Sequence, residues 1–304
     1  MSEKIFRDTR TQIGILKSRG LTIKNKKFAK QIIRRVNYYN LINGYKDPFL
    51  QSDSNYEKYI KGSTIDEIYA LYEFDRKLRI ITLEYILEIE KEVKSLVSYS
   101  FSKCYGHKNY LKLENFDSSG IKKYDCVCSL LSHLYKTIAR NINHDLSITH
   151  YVNGKNYVPL WVLMNSLSFG EVSKFYTNMH QKERNDVAKH FKWGVKENEL
   201  SNSLAFLTTI RNRCAHGERL YSYLSTTNLS YNKFFKYFHI TATNNYFAVM
   251  IAFKLLLSDI EYTQYQLKIE TILNELSSHL KSIPLKKIRG MMGLPNNWRR
   301  LQSI

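Results

Sequence analysis

The chain of 304 residues carries 46 Lys or Arg against 27 Asp or Glu, a formal net charge of +19, with 43% hydrophobic and 24% charged residues. That composition excludes a disordered chain and suits one large or two modest domains. The strongest apolar stretch, residues 246–257, is shorter than the roughly 18–20 residues needed to cross a bilayer, so no membrane association is expected.

The first eight residues are charged and hold no apolar core ahead of a cleavage site, which predicts a cytoplasmic protein. With only 4 Pro and 12 Gly, and apolar residues recurring at three and four, the expected fold is all-α. The first predicted helix spans 26–36, with Phe28, Ile32, Ile33 and Val36 on one side. Asn43-Gly44 and Asp47-Pro48 then supply turn signals that close a small basic helical N-terminal region, residues 1–60. Thr64 and Glu67 fit a capping box. From there to about Phe101 neither Gly nor Pro interrupts the periodic Ile68, Leu71, Leu78, Tyr85, Ile89, Val93 and Leu96, which predicts one long helix or two nearly collinear ones. Further helices are predicted over 122–143, 160–177, 181–191, 201–216, 244–257 and 261–280. The result is a helical body over 61–280 followed by a basic C-terminal tail, 281–304.

The charge is concentrated at the two ends. Residues 1–50 hold 12 Lys or Arg and 3 acids, and residues 281–304 hold 6 and none. Two basic ends around a near-neutral body suit a polyanion partner. Arg34, Arg35, Tyr38 and Tyr39 pair cations with flat rings, the combination that neutralises phosphates and stacks unpaired bases. Lys286, Lys287, Arg289, Arg299 and Arg300 are the matching cations at the other end. Tyr38, Tyr39 and Tyr45 suit helix packing equally well, and lysine-rich ends also serve solubility. Trp161, Trp193 and Trp298 read as packing anchors. Glu84, Glu88, Glu90 and Glu92, interleaved with Lys91 and Lys94, read as a solvated helix face.

Four cysteines, at 104, 126, 128 and 214, make no disulfide framework and are expected as free thiols. Cys126 and Cys128 with His133 lack the second ligand pair of a zinc site, so no metal is expected. There is no Walker-type loop, Gly-x-Ser-x-Gly elbow or His-Glu-x-x-His, and no cofactor is expected.

The segment richest in chemistry is Arg211-Asn212-Arg213-Cys214-Ala215-His216-Gly217, at the end of a predicted helix stopped by Gly217. Asn212 and His216 share a face, whereas Arg211 sits about 140° around from His216, so the helix end or a partner surface must bring them together. An imidazole moves protons near neutral pH and a guanidinium holds a phosphate through two hydrogen bonds. Those are the tools for cutting RNA without a metal. An Arg and a His at this spacing arise by chance about once in such a chain, and Arg184-Asn185 with His190, and Arg140-Asn141 with His144, are decoys of that kind. The 211–216 site differs in its apolar approach, through Leu204, Phe206, Leu207 and Ile210, and in the small Cys214 and Ala215. Arg213 and Arg219 read either as phosphate holders or as ordinary surface arginines. Asp75 and Arg79 read either as a surface ion pair four residues apart or as a contribution to the site.

The Arg211-Asn212-x-x-x-His216 element resembles the signature of HEPN-fold ribonucleases, and its surroundings resemble the abortive-infection AbiD/AbiF (Abi-like) branch. The supporting pieces are Leu16-Lys-Ser-Arg-Gly-Leu21, Asn37-Tyr-Tyr-Asn-Leu41 with Gly44-Tyr45, Tyr72 to Arg79, Pro159-Leu-Trp161 with Ser168-Phe-Gly170, Arg211 to Arg219, and Met292-Gly-Leu-Pro295 with Trp298. The resemblance implies a HEPN-like helical bundle and a metal-independent endoribonuclease. It implies a role as a toxin-like effector in phage defence, with Arg211 and His216 catalytic and Asn212 orienting them. It also implies a homodimer that pairs two motifs, and a small structured RNA as regulator beside the RNA substrate. Two other readings stand beside it. One is a non-catalytic RNA-binding HEPN-like protein. The other is a HEPN partner of a nucleotidyltransferase, modified at Tyr221 or Tyr223.

Overall fold

The computed structural model describes residues 5–52 and 56–304. The charged start of the chain, residues 1–4, lies outside the described residues. Thirteen α-helices and no strand form among those described, with two isolated bridges, Thr22 to Thr64 and Leu50 to Tyr59. The all-α expectation therefore holds.

Two short helices, α1 (Thr9–Ser18) and α2 (Lys26–Val36), pack against each other. They lead into a π-helical turn, Tyr39–Asn43, and a 3-10 turn, Asp47–Phe49. Sequence reading misses α1, which buries only Ile13 and Leu16 and carries Gly14, so its apolar periodicity is faint. The long segment is one helix, α3 (Ile65–Tyr105), of 41 residues and about 60 Å. Its capping box forms as predicted: Glu67 N donates to Thr64 Oγ1 at 3.1 Å and Thr64 N donates to Glu67 Oε2 at 3.0 Å.

After α3 come α4 (Ile121–Asn141), α5 (Leu146–Lys155), α6 (Leu160–Ser166), α7 (Phe169–Asn178), α8 (Gln181–Ala188) and α9 (Glu197–Ala215). The single helix predicted over 160–177 divides into α6 and α7. Leu167 is extended at ψ 138, and Ser168 with Glu171 forms a second capping box that starts α7 afresh. The chain closes with α10 (Lys233–Phe238), α11 (Tyr246–Leu256), α12 (Asp259–His279) and α13 (Leu285–Met291). The spine is α3, with α6, α7, α8, α9 and α12 packed along it. Every residue of α11 is buried, so the strongest apolar stretch is a core helix. Its single cation, Lys254, donates to Gln302 O at 3.1 Å, and burial lowers its pKa. No helix among the described residues is long and apolar enough to cross a membrane.

The C-terminal segment packs onto the body through Ile288, Met292, Trp298 and Leu301, all buried. Gly293 sits at φ +75 with the Asn245 amide where a Cβ would stand, 2.0 Å away, so only glycine fits this turn. Glu67 Oε1 accepts from Lys281 N and Ser282 N, both at 2.7 Å, and Lys287 Nζ donates to Pro48 O at 2.6 Å. The two basic ends of the sequence are therefore neighbours.

Two local expectations need correction. Trp298 is buried and Trp193 packs edge-on against Phe234, but Trp161 is 49% exposed. Glu90 is buried and pairs with Lys94 at 2.8 Å, beside Trp161 and Met164 of α6, so the predicted solvated face of α3 is partly covered.

Candidate functional site

The end of α9 carries the motif in a defined cap. Gly217 takes φ +70, Gly217 N donates to Cys214 O at 3.2 Å, and Glu218 N donates to Arg213 O at 3.1 Å. This pair of bonds is the Schellman arrangement, with His216 as the last half-helical residue and Gly217 in the left-handed position after it. The cap therefore lifts the His216 imidazole off the bundle, and both His216 and Asn212 are exposed. Arg211 is half-buried, and its Nε is buried with no hydrogen-bond partner among the described residues. Cys214 is buried, which pushes its thiol up to about 12 and leaves it unsuited as a nucleophile.

His216 opens onto a cleft of about 710 Å³ between the end of α9 and the N-terminal unit. One wall is His216, Gly217, Glu218, Arg213 and Arg219. The other is Tyr39, Asn40, Asn43 and Gly44 from the π-helical turn, and Tyr45, Tyr72 and Arg79 form its base. Arg211 and Asn212 are not among the lining residues. Arg211 and Asn212 thus do not share the cleft with His216, and the arginines that line it are Arg79, Arg213 and Arg219.

Both arginines are held by neighbours. Arg213 Nε donates to Arg219 O at 2.6 Å, its Nη1 meets Glu218 at 2.9 Å, and its guanidinium lies 3.7 Å from the Tyr223 ring centre. Arg219 Nη1 donates to Gly44 O at 2.7 Å and meets Asp47 at 3.3 Å, so it ties α9's cap to the opposite wall.

Beneath the cleft, Asp75 fixes this geometry. Fully buried on α3, it accepts from Tyr221 N at 2.7 Å, Leu220 N at 3.1 Å and Tyr45 Oη at 2.7 Å, and it pairs with Arg79. Burial pushes its carboxyl upward, against the pull of Arg79 and these hydrogen bonds. The ion pair four residues apart forms, but buried and not on the bundle surface, and it supports the cleft from below: a buried carboxylate joins α3, the N-terminal unit and the loop after the motif. Sequence spacing shows Arg79 as a partner and cannot show backbone amides 145 residues away.

Tyr221 is fully buried, so its hydroxyl is closed to nucleotide transfer, whereas Tyr223 is half-buried over Arg213. Of the residues expected to contact RNA, Tyr39 is 66% exposed on the cleft, while Tyr38 packs half-buried against the core. Arg34 and Arg35 are exposed at the end of α2 and form no ion pair among the described residues. Lys286, Lys287, Arg299 and Arg300 are exposed; Arg299 meets Glu270 at 3.0 Å, and Arg289 is half-buried. The decoys stay apart from the cleft. Arg184 bonds Asn198 at 3.2 Å, His190 lies past the end of α8, and Asn141 donates to Thr137 O at 2.8 Å. Cys126 and Cys128 are exposed and His133 bonds Glu171. Among the described residues no three His, Cys, Asp or Glu side chains converge as a metal site would require. Asn40, Asn43 and Tyr72 enter the sequence reading only within family-like pieces and a turn signal, never as site residues; three asparagines within seven residues, at 37, 40 and 43, are the signal that could have drawn attention to the first two.

A family model described as Abi-like protein matches residues 31–222. No curated protein and no solved structure matches the chain. The matched span begins in α2 and ends just past Tyr221, so it takes in both walls of the cleft and Asp75 beneath them.

Proposed function

The chain belongs to the Abi-like protein family, which points to abortive infection and phage defence, and on that premise we propose that it is a metal-independent endoribonuclease of HEPN type. The observation that carries the reading is a solvent-facing imidazole, His216, at the mouth of a cleft that Arg79, Arg213 and Arg219 also line. His216 acts as general base on a ribose 2′-OH. The freed oxygen attacks the adjacent phosphorus, the bond to the 5′-oxygen breaks, and the products are a 2′,3′-cyclic phosphate and a 5′-hydroxyl. Arg211 stabilises the charge growing on the phosphoryl oxygens, and Asn212 orients the pair. Since Arg211 faces away from its own chain's cleft, it acts across a homodimer, where the second motif also supplies the acid that protonates the leaving oxygen. The basic ends, residues 1–60 and 281–304, hold RNA away from the cut, including a small structured regulatory RNA, around a catalytic body over 61–280. The protein works in the cytoplasm, where phage and host transcripts are available.

The test compares wild type with Arg211→Ala and His216→Ala in an RNA cleavage assay containing EDTA, and sequences the RNA that copurifies with each. Cleavage by wild type alone, with cyclic-phosphate ends and a loss of at least about 100-fold in either variant, is the expected result. That Arg211 does not line the His216 cleft favours one second reading, a non-catalytic RNA-binding protein. If all three proteins bind the same RNA and none cuts it, that reading replaces the first.

A further inference from the structure

The wall of the cleft opposite His216 is built in an unusual way. Asn37 takes φ 74 and ψ 137, a conformation that side-chain-bearing residues rarely adopt. It is held there by its own side chain, which accepts from Tyr39 N at 2.8 Å, and by its carbonyl, which accepts from Leu41 N at 3.0 Å. After Tyr38, the five residues Tyr39–Asn43 form the π-helical turn, a rare form of helix that recurs at functional sites. Strain of this kind persists only where the surroundings enforce it. Leu41 and Ile42 are driven into the core, and Tyr39, Asn40 and Asn43 are left on the cleft side. Tyr39 is 66% exposed, and among the described residues neither Asn40 nor Asn43 makes a side-chain hydrogen bond. An open aromatic face thus stands beside two unspent carboxamides, across from Arg213 and Arg219.

A carboxamide presents a donor and an acceptor side by side, the complement of adenine N7 and N6–H. An exposed tyrosine ring supplies the stacking platform that an unpaired base takes up. We propose that Tyr39, Asn40 and Asn43 form a nucleobase subsite for an unpaired adenine, with Tyr39 stacking on the ring and the two asparagines reading its edge. The proposal rests on the reading of the cleft as an RNA site. It adds a substrate preference: single-stranded RNA with an unpaired adenine across the cleft from His216. Base pairing would block it, because a paired adenine cannot present its ring to Tyr39.

The test uses full-length protein and 5′-fluorescein-labelled pentamers of 2′-O-methyl A, C and U, which cannot be cut by 2′-OH attack, read by fluorescence anisotropy. Wild type is expected to bind the A pentamer about tenfold tighter than C or U. Asn40→Ala with Asn43→Ala brings all three within about twofold, at the affinity of C and U. Tyr39→Ala weakens all three about tenfold, and Tyr39→Phe, which keeps the ring, restores binding. Equal binding of the three by wild type, or an adenine preference that survives in the double variant, overturns the proposal. If no pentamer binds, the cleft is not an RNA site and both readings fall. Adenine-selective binding without any cleavage of ordinary RNA leaves this proposal standing and removes the nuclease.

Discussion

Asp75 shows how much one buried side chain can decide. Four donors surround it: two backbone amides, a tyrosine hydroxyl and a guanidinium. Removing it strands all four and leaves Arg79 as an unpaired, nearly buried cation. Asp75→Ala is expected to cost about 3–5 kcal/mol, because breaking a buried pair exposes the full desolvation penalty of the partner. Urea unfolding followed by circular dichroism measures it, and a loss below about 1 kcal/mol would contradict the role given to this carboxylate. At this scale the sequence is partly readable. The exposure of His216 follows from Gly217, because a glycine after a helix announces the cap that lifts its last residue. The role of Asp75 does not, because local spacing reveals Arg79 and hides Tyr45, Leu220 and Tyr221. For the same reason Arg213 and Arg219 cannot be told from surface arginines until the opposite wall is in view.

Among the elements, those with strong local signals are legible and those that depend on neighbours are not. The α2 and α3 helices follow from periodicity, the Thr64 capping box of α3 and the lack of breakers. The α5 and α10 helices are missed, one because it buries only Ile148 and carries Gly154 near its end, the other because six residues leave no room for a period. The clasp between α3 and the C-terminal segment is an element-level device with a pH signature. Burial of Glu67 works to raise its pKa, but hydrogen bonds from Ser282, Lys281 and Thr64 outweigh this and lower it. A carboxyl lowered in the folded state contributes stability above its unfolded value of about 4.3, and that contribution is lost as pH falls through the folded value. Glu67→Gln is therefore expected to destabilise by about 1–3 kcal/mol at pH 7, and the gap to wild type should close below about pH 4. Urea midpoints at pH 7, 5 and 3.5 check this, and a gap that widens in acid would reverse the sign argued here.

Over the whole molecule, the separation of charge in the sequence becomes proximity in the fold. The 281–304 segment reaches the N-terminal turns through Lys287 and Pro48, while Arg219 grips the same stretch through Gly44 and Asp47. If the ends hold RNA as proposed, affinity for single strands falls with salt at a slope of about 0.7 per phosphate neutralised. Replacing both Arg34 and Arg35 by Ala should then flatten that slope by about 1.4, and anisotropy titrations between 50 and 300 mM salt, chosen to span roughly the usual range, measure it. An unchanged slope would place the RNA elsewhere.

The loop that follows the motif owes its shape to the same carboxylate that joins α3 to the N-terminal unit. Freeing Leu220 and Tyr221 takes away two of the four donors that satisfy a carboxylate deep in the core, so this loop opens at a higher cost than one held by solvent-exposed bonds. Many proteins silence a site by letting its loop melt, a cheap local transition. Here melting would give up two hydrogen bonds to a buried carboxylate, so on the nuclease reading proposed above restraint is expected from outside the loop, from RNA in the cleft or from the spacing of two protomers.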